Sequence, residues 1–385
     1  LYRYALVLNK TGSPARAVRL IDDLFAEGRS SGYTAELLRL KASSVRKLER
    51  YREASATLHE YLALRQDDVA ARIEYAKLLF LQERYQAVLD EVDYIRNNTV
   101  DFERLYPEKE LELFYLSGLS KITQRKYQPA LEDLGSLLRS LESRRTENGL
   151  SGDMERIYPY ALFYRGWTLY KLSRYTEAVT VFDTFLRRNP RHELSQRARY
   201  LAGWNAFNAG NMGEAEDFLR AFPENGEAGE LELKVRFQLA KTLVNLGRYR
   251  EALDEFSELK GRGESEYSVQ AAYEYAQVLS RMDRIDGAGE AYKELFKQYP
   301  DHPLGEKALY DRAELFYGAG MYEKAREAFS DYRLEFPNGE QFDAALFWGG
   351  NAAARLGQDT GAVLLWELLI DKHRNSTYRP EAMNR

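Results

Sequence analysis

Ten pairs of small residues, the two members of each pair twelve positions apart, constrain this chain more than any other feature. The first members are Ala5, Ala42, Ala76, Gly118, Gly166, Gly203, Ala240, Ala276, Ala313 and Gly350. The second members are Ala17, Ala54, Val88, Ala130, Ala178, Ala215, Ala252, Ala288, Ala325 and Ala362. The stretch Gly166-Trp167-Thr168-Leu169-Tyr170-Lys171-Leu172-Ser173-Arg174-Tyr175-Thr176-Glu177-Ala178 is the clearest copy. It reads as one helix end, a turn of about four residues and the start of a second helix, with an aromatic covering the junction. Two antiparallel helices come close only where small side chains let their backbones cross. Four residues after each second small position stands a large apolar group: Ile21, Leu58, Val92, Leu134, Phe182, Leu219, Phe256, Tyr292, Phe329 and Trp366. That spacing places it one turn further along the second helix, where it is expected to face the next hairpin. The pattern predicts an all-α chain, a right-handed α-solenoid of about ten helical hairpins.

Composition excludes several alternatives. At 44% hydrophobic and 30% charged, with only 10 Pro in 385 residues, the chain folds and favours helices. Its net charge of -5 comes from interspersed acids and bases, so the concentrated basic footprint of a nucleic-acid binder is missing. No run approaches the roughly 18 to 20 apolar residues of a membrane span. The most apolar stretch, Ala362 to Ile370, contains Glu367 and reads as a buried helix face. With no cysteine, disulfides, thiolate chemistry and cysteine metal sites are excluded, while the redox compartment stays open. The chain starts inside an apolar helical pattern and ends at Tyr378-Arg379-Pro380-Glu381-Ala382, which looks like the opening of another hairpin. Both ends are therefore expected to be cut from a longer protein, and the missing targeting segment says nothing about location.

The repeat resembles the tetratricopeptide repeat family over nearly the whole chain. The resemblance rests on the small residue in the first helix, the aromatic before the turn's end, and Ala in the second helix. An aromatic one turn on and a late Pro complete it. The copies near residues 159–190 and 306–337 match almost fully, and Pro190, Pro300 and Pro337 follow second helices, where proline stops a helix. Several copies lack that Pro, and the third has Val88 in place of Ala. The segments Asn189-Pro190 to Gly203, Tyr299-Pro300 to Tyr310 and Phe336-Pro337 to Phe347 share a dialect of Pro, short polar loop, Ala, aromatic and small residue. That dialect is similar to bacterial envelope repeat proteins, including the Tol–Pal-associated cell division coordinator and the lipoprotein subunit of the outer-membrane β-barrel assembly machine. The similarity implies a periplasmic or envelope-associated scaffold, part of a multi-protein envelope complex.

Successive first members are 37, 34, 42, 48, 37, 37, 36, 37 and 37 residues apart. The two long steps mark insertions near 96–109 and 140–158, the second polar and Gly-containing and expected to be a mobile loop. The reading divides the chain into an N-terminal block of four hairpins (1–142), a polar loop (143–157) and a C-terminal block (158–385). The last holds six hairpins and the start of a further helix. One uninterrupted superhelix with decorated loops is the alternative.

Three positions before each first small residue, from the fourth repeat onward, stand Tyr115, Phe163, Tyr200, Phe237, Tyr273, Tyr310 and Phe347. First helices line the concave side of such a solenoid. With Trp167, Tyr170, Trp204 and Phe207 beside it, the column is densest in repeats five and six. Rings on a concave face anchor a peptide or partner helix. Phe163, Trp167, Tyr170, Tyr200, Trp204, Phe207, Phe237, Tyr273, Tyr310 and Phe347 are therefore the candidate partner-binding residues. The competing reading is packing between neighbouring first helices. Family members that grip carboxyl-terminal tails use Lys, Asn and Arg where this chain has aromatics, so that clamp is not reproduced. Arg39, Arg46 and Lys47 form a small basic cluster that meets an acidic partner or is simply solvated.

No catalytic or metal pattern is present. His59, His192, His302 and His373 are scattered, no HExxH, phosphate loop, GxSxG or dinucleotide fingerprint occurs, and no cofactor is implied. The chain reads as a non-catalytic scaffold or adaptor for a protein or peptide partner, without nucleic acid. The alternative is a structural component of a larger motility, secretion or cell-wall machine, docking through convex faces and loops.

Overall fold

In a computed structural model the chain is an α-solenoid, and the structure describes it outside residues 31, 148, 150, 151, 223–228 and 264. The helices follow in pairs: α1 (Tyr2–Lys10) and α2 (Pro14–Ala26), α3 (Thr34–Lys47) and α4 (Tyr51–Leu64), α5 (Val69–Leu81) and α6 (Tyr85–Asn98). A one-turn α7 (Phe102–Leu105) precedes α8 (Pro107–Thr123) and α9 (Tyr127–Glu147), then α10 (Gly152–Lys171) and α11 (Tyr175–Arg188). Next come α12 (Ser195–Asn208) and α13 (Met212–Arg220), α14 (Glu230–Asn245) and α15 (Tyr249–Lys260), α16 (Glu266–Arg281) and α17 (Ile285–Gln298). The chain finishes with α18 (Pro303–Gly318) and α19 (Tyr322–Glu335), α20 (Phe342–Arg355) and α21 (Asp359–Lys372), and the single turn α22 (Arg379–Ala382). No strand occurs among the described residues.

The chain divides into two compact units, Leu1–Leu201 and Ala202–Arg385, and the division falls inside α12. In the first unit α3 packs on α4, α8 on α9 and α10 on α11, and first helices touch the next first helix, α1 on α3 and α8 on α10. The second unit repeats this scheme, with α14 on α15, α16 on α17 and α18 on α19, and first-helix contacts from α14 to α16, α18 and α20 in turn.

The twelve-residue spacing has a direct structural cause. A Cβ on Gly166 would lie 2.9 Å from the Phe182 ring, one on Gly203 2.6 Å from Leu219 Cγ, and one on Gly350 2.5 Å from Trp366 Nε1. The large residue thus closes on the first small residue of its own hairpin. The expectation that it faces the next hairpin is corrected here. The second helix of a hairpin runs antiparallel to the first, so one turn past the second small residue lies opposite the first small residue. All ten large residues are buried, and each fully buried one contributes about 1.5 to 3 kcal/mol relative to exposure.

Each hairpin turn contains one left-handed residue, seven positions after the first small residue. It is Gly at Gly12, Gly210, Gly247, Gly320 and Gly357, and Glu49, Glu83, Arg125, Ser173 or Asp283 elsewhere, with φ between 57° and 60° at those five. The following residue's N–H reaches back to end the first helix, as in Lys126 N to Lys121 O at 2.8 Å. This is a Schellman closure.

Both insertions carry structure. In the first, α7 presents Phe102, 5% exposed, to the core made by Val92, Ile95, Leu113 and Leu116. The stretch 143–157, expected to be a loop, is helical over 143–147 and from Gly152 onward; 148, 150 and 151 lie outside the described residues. Burial explains the difference. Leu141, Met154 and Tyr158 are all under 5% exposed, and Tyr158 donates to Glu142 Oε1 at 2.9 Å, so the added turns are amphipathic and pinned.

Candidate functional site

The aromatic column is sorted by burial. Phe163, Tyr273, Tyr310 and Phe347 are buried at 6%, 8%, 6% and 1% exposure. Phe163 meets the Phe182 ring at 5.8 Å and Phe185 at 6.1 Å. Phe237, half-buried, meets Phe256 at 5.8 Å, Tyr273 meets Tyr292 at 5.7 Å, and Tyr310 meets Phe329 at 6.0 Å. Each of these four meets the ring nineteen residues on, in the second helix of the same hairpin, and Phe163 also meets Phe185, twenty-two on. Phe347 instead stacks on Tyr378 at 5.1 Å, while its carbonyl accepts from Trp366 Nε1 at 3.4 Å. Phe163, Phe237, Tyr273 and Tyr310 therefore build hairpin interiors. Burial, and then the bond to Asp311, raises the pKa of the Tyr273 hydroxyl, keeping it a proton donor to that carboxylate.

The flanking rings differ. Trp167 and Tyr170 on α10 are half-buried. Trp167 lies edge-on to Tyr127 at 5.9 Å, and the Lys171 ammonium sits 5.0 Å from the Trp167 ring and 4.9 Å from Tyr170. The three form a cation–aromatic cluster at the end of a first helix. Tyr200 is half-buried at the end of the first unit, and Trp204 and Phe207 are half-buried in the second. The six rings of repeats five and six thus fall in two units, and Trp167 and Tyr170 stand together in the first.

The basic cluster is internally neutralised. Arg39 and Arg46 approach the two oxygens of Glu74 at 3.1 and 3.2 Å, and Lys47 Nζ donates to Asn9 O at 2.7 Å. Sequence reasoning missed Glu74 because it lies a full repeat away, on α5. The histidines have local duties. His192 and His302 accept from the Leu194 and Leu304 N–H groups at 3.2 and 3.1 Å. His59 packs on Tyr75 and His373 on Phe342. Among the described residues no group of three or more His, Asp or Glu is placed to hold a metal ion, and no helix is long and apolar enough to cross a membrane.

Stacked hairpins, each closed by a small residue against a large one, define a helical-repeat protein. The tetratricopeptide repeat pattern matches residues 39–92, 163–230, 237–303 and 273–340, more than half of the chain, and the chain belongs to that family. Membership points to a protein–protein interaction scaffold. Among solved structures, a tetratricopeptide repeat protein from Parabacteroides merdae is 14% identical, with 72% of this chain and 98% of that chain covered and a TM-score of 0.44. The C-terminal part of a repeat-containing protein from Cytophaga hutchinsonii is also 14% identical, covering 80% of this chain and 99% of its own, with a TM-score of 0.42. No curated protein matches the chain.

Proposed function

We propose that the chain is a non-catalytic scaffold or adaptor that holds a protein or peptide partner within a bacterial cell-envelope assembly. The observation that carries the holding role is the pair of half-buried rings, Trp167 and Tyr170, with the exposed Lys171 beside them. One turn earlier on the same helix, Phe163 is consumed by packing, while these rings keep part of their surface in solvent. Large rigid rings beside a cation suit an apolar or acidic partner segment, because they bury area at small entropic cost. The dialect of residues 299–310 and 336–347 supports the envelope setting. A photo-crosslinking residue at position 167, compared with position 180 on the outer side of α11, tests the holding role in cells. Protein adducts at 167 and none at 180 are expected; equal adducts at both overturn it. Fractionation of the full-length product tests the setting, and recovery in the cytosol alone overturns that part.

A second reading, a structural component that docks through loops, is favoured by the first insertion. There Val100 and Leu105 are 84% and 57% exposed while Phe102 holds the segment in place. Val100→Ser with Leu105→Ser should then abolish assembly without lowering stability.

A further inference from the structure

The stretch Ala362 to Ile370, whose apolar run reads as a buried helix face, is buried in α21 only at Ala362, Trp366 and Leu369. Leu364 and Leu368 are 60% and 40% exposed. They stand four residues apart and share one face of the helix, which Gly361 extends by a turn. A Cβ on Gly361 would meet nothing, so no contact within the chain calls for glycine there. Further hairpins do not cover this face. The residue two positions after the second small residue is exposed in all ten second helices, including α15, α17 and α19, on which the next first helix packs. At that position and four residues on, those three helices carry Asp254 and Glu258, Glu290 and Glu294, and Glu327 and Asp331. A carboxylate pair that suits solvent is thus replaced in α21 by a leucine pair, on a helix already apolar on its inner side. A helix apolar on opposite sides is ordinarily covered on both.

We propose that this strip docks an amphipathic helix of a partner protein whose apolar stripe is flanked by Lys or Arg. Charge sets the choice. The exposed charges of α21 are Asp359, Glu367, Asp371 and one base, Lys372. Glu367 and Asp371 each lie three residues after a leucine of the strip and so border it. Glu290 and Glu327, exposed at the matching position of α17 and α19, carry the same sign. Cationic flanks on the partner meet these carboxylates, while its apolar residues cover Leu364 and Leu368 and Gly361 admits a close approach. A lipid surface is disfavoured, because interfacial helices carry Lys and Arg on their polar face and anionic headgroups repel carboxylates. A second copy pairing through the same strip sets acid against acid.

The test follows the fluorescence anisotropy of a labelled Leu/Lys amphipathic peptide of about four turns, long enough to hold a helix, titrated with the full chain. A Leu/Glu peptide of the same pattern is the comparison probe. Saturable binding of the Leu/Lys probe is expected, weakening as salt rises, with the Leu/Glu probe about tenfold weaker or worse. Leu364→Ser with Leu368→Ser should weaken the Leu/Lys probe about tenfold at an unchanged melting temperature, since both side chains are exposed. Glu290→Ser with Glu294→Ser, on the outer face of α17, should weaken it less than about threefold. If the leucine variant melts lower, Glu367→Lys with Asp371→Lys carries the binding comparison, with the same loss expected. Undiminished binding to the variant, equal binding of the Leu/Glu probe, or no saturable binding would each overturn the proposal. Self-association in sedimentation, or binding to phosphatidylglycerol vesicles, that the leucine substitutions abolish would overturn it in favour of a second copy or a membrane.

Discussion

Where Gly166 faces Phe182, a methyl group on the glycine would sit 2.9 Å from the ring edge. Gly166→Ala gains about 1 kcal/mol of helix propensity and loses about 1 to 3 kcal/mol to overpacking, so a net loss of about 1 kcal/mol is expected. Adding Phe182→Leu should relieve the contact, and a double-mutant cycle in urea should show a coupling of about 1 kcal/mol; strict additivity would contradict the contact. The left-handed turn residue offers a change of opposite sign. Arg125 holds φ at 59°, a conformation costing about 1 kcal/mol for a residue with a Cβ. Arg125→Gly should therefore stabilise by about that amount, read as a higher denaturation midpoint at unchanged slope. The turn itself was visible in the sequence. Its register was not, although Gly recurs seven places after the first small residue in half of the repeats.

At the scale of the helix, burial separates two kinds of aromatic that sequence spacing treats alike. Phe163→Ala should cost about 3 to 4 kcal/mol, as a core deletion, while Trp167→Ala should cost less than half of that; equal melting losses would show both rings to be core. The hairpins were legible because small and large side chains at fixed spacing are the contact itself, read along one chain. The column was ambiguous because a ring in a first helix fits a groove or a hairpin interior equally well. Its partners at Phe182, Phe256, Tyr292 and Phe329 were in view, but nineteen residues away. The outer strip of α21 was in view but misread, since an apolar run does not say which of its sides the fold covers. Between elements of the second unit, Arg248 grips both oxygens of Glu216 at 2.6 and 2.7 Å, and Arg220 donates to it at 2.6 Å. Burial alone would raise the Glu216 pKa, but the two guanidiniums hold it below the ordinary 4.5. Its folded pKa is depressed, so its stabilisation is present above pH 4.5 and is lost as pH falls through the folded value. Glu216→Gln should thus lose about 1 kcal/mol at neutral pH and nothing in strong acid, as measured by urea midpoints across that range.

For the whole molecule, stability is close to a sum over hairpins and their nearest-neighbour contacts. The closure of each large residue on a small one within the same hairpin has a consequence for how such a chain can change length. Nothing that seals a hairpin is borrowed from a distant part of the sequence, so a segment spanning one full period can be cut out with both new ends in phase. Deleting residues 277–313 joins Ala276 to Glu314, leaving α16 up to Ala276 continuous with α18 from Glu314 and every later pair in register. The shortened chain should retain its helical circular dichroism per residue and unfold cooperatively. Deleting 277–307 instead, six residues short of the period, should give an aggregating product. Length in this molecule is then a count of interchangeable parts, open to gain and loss by simple duplication and excision.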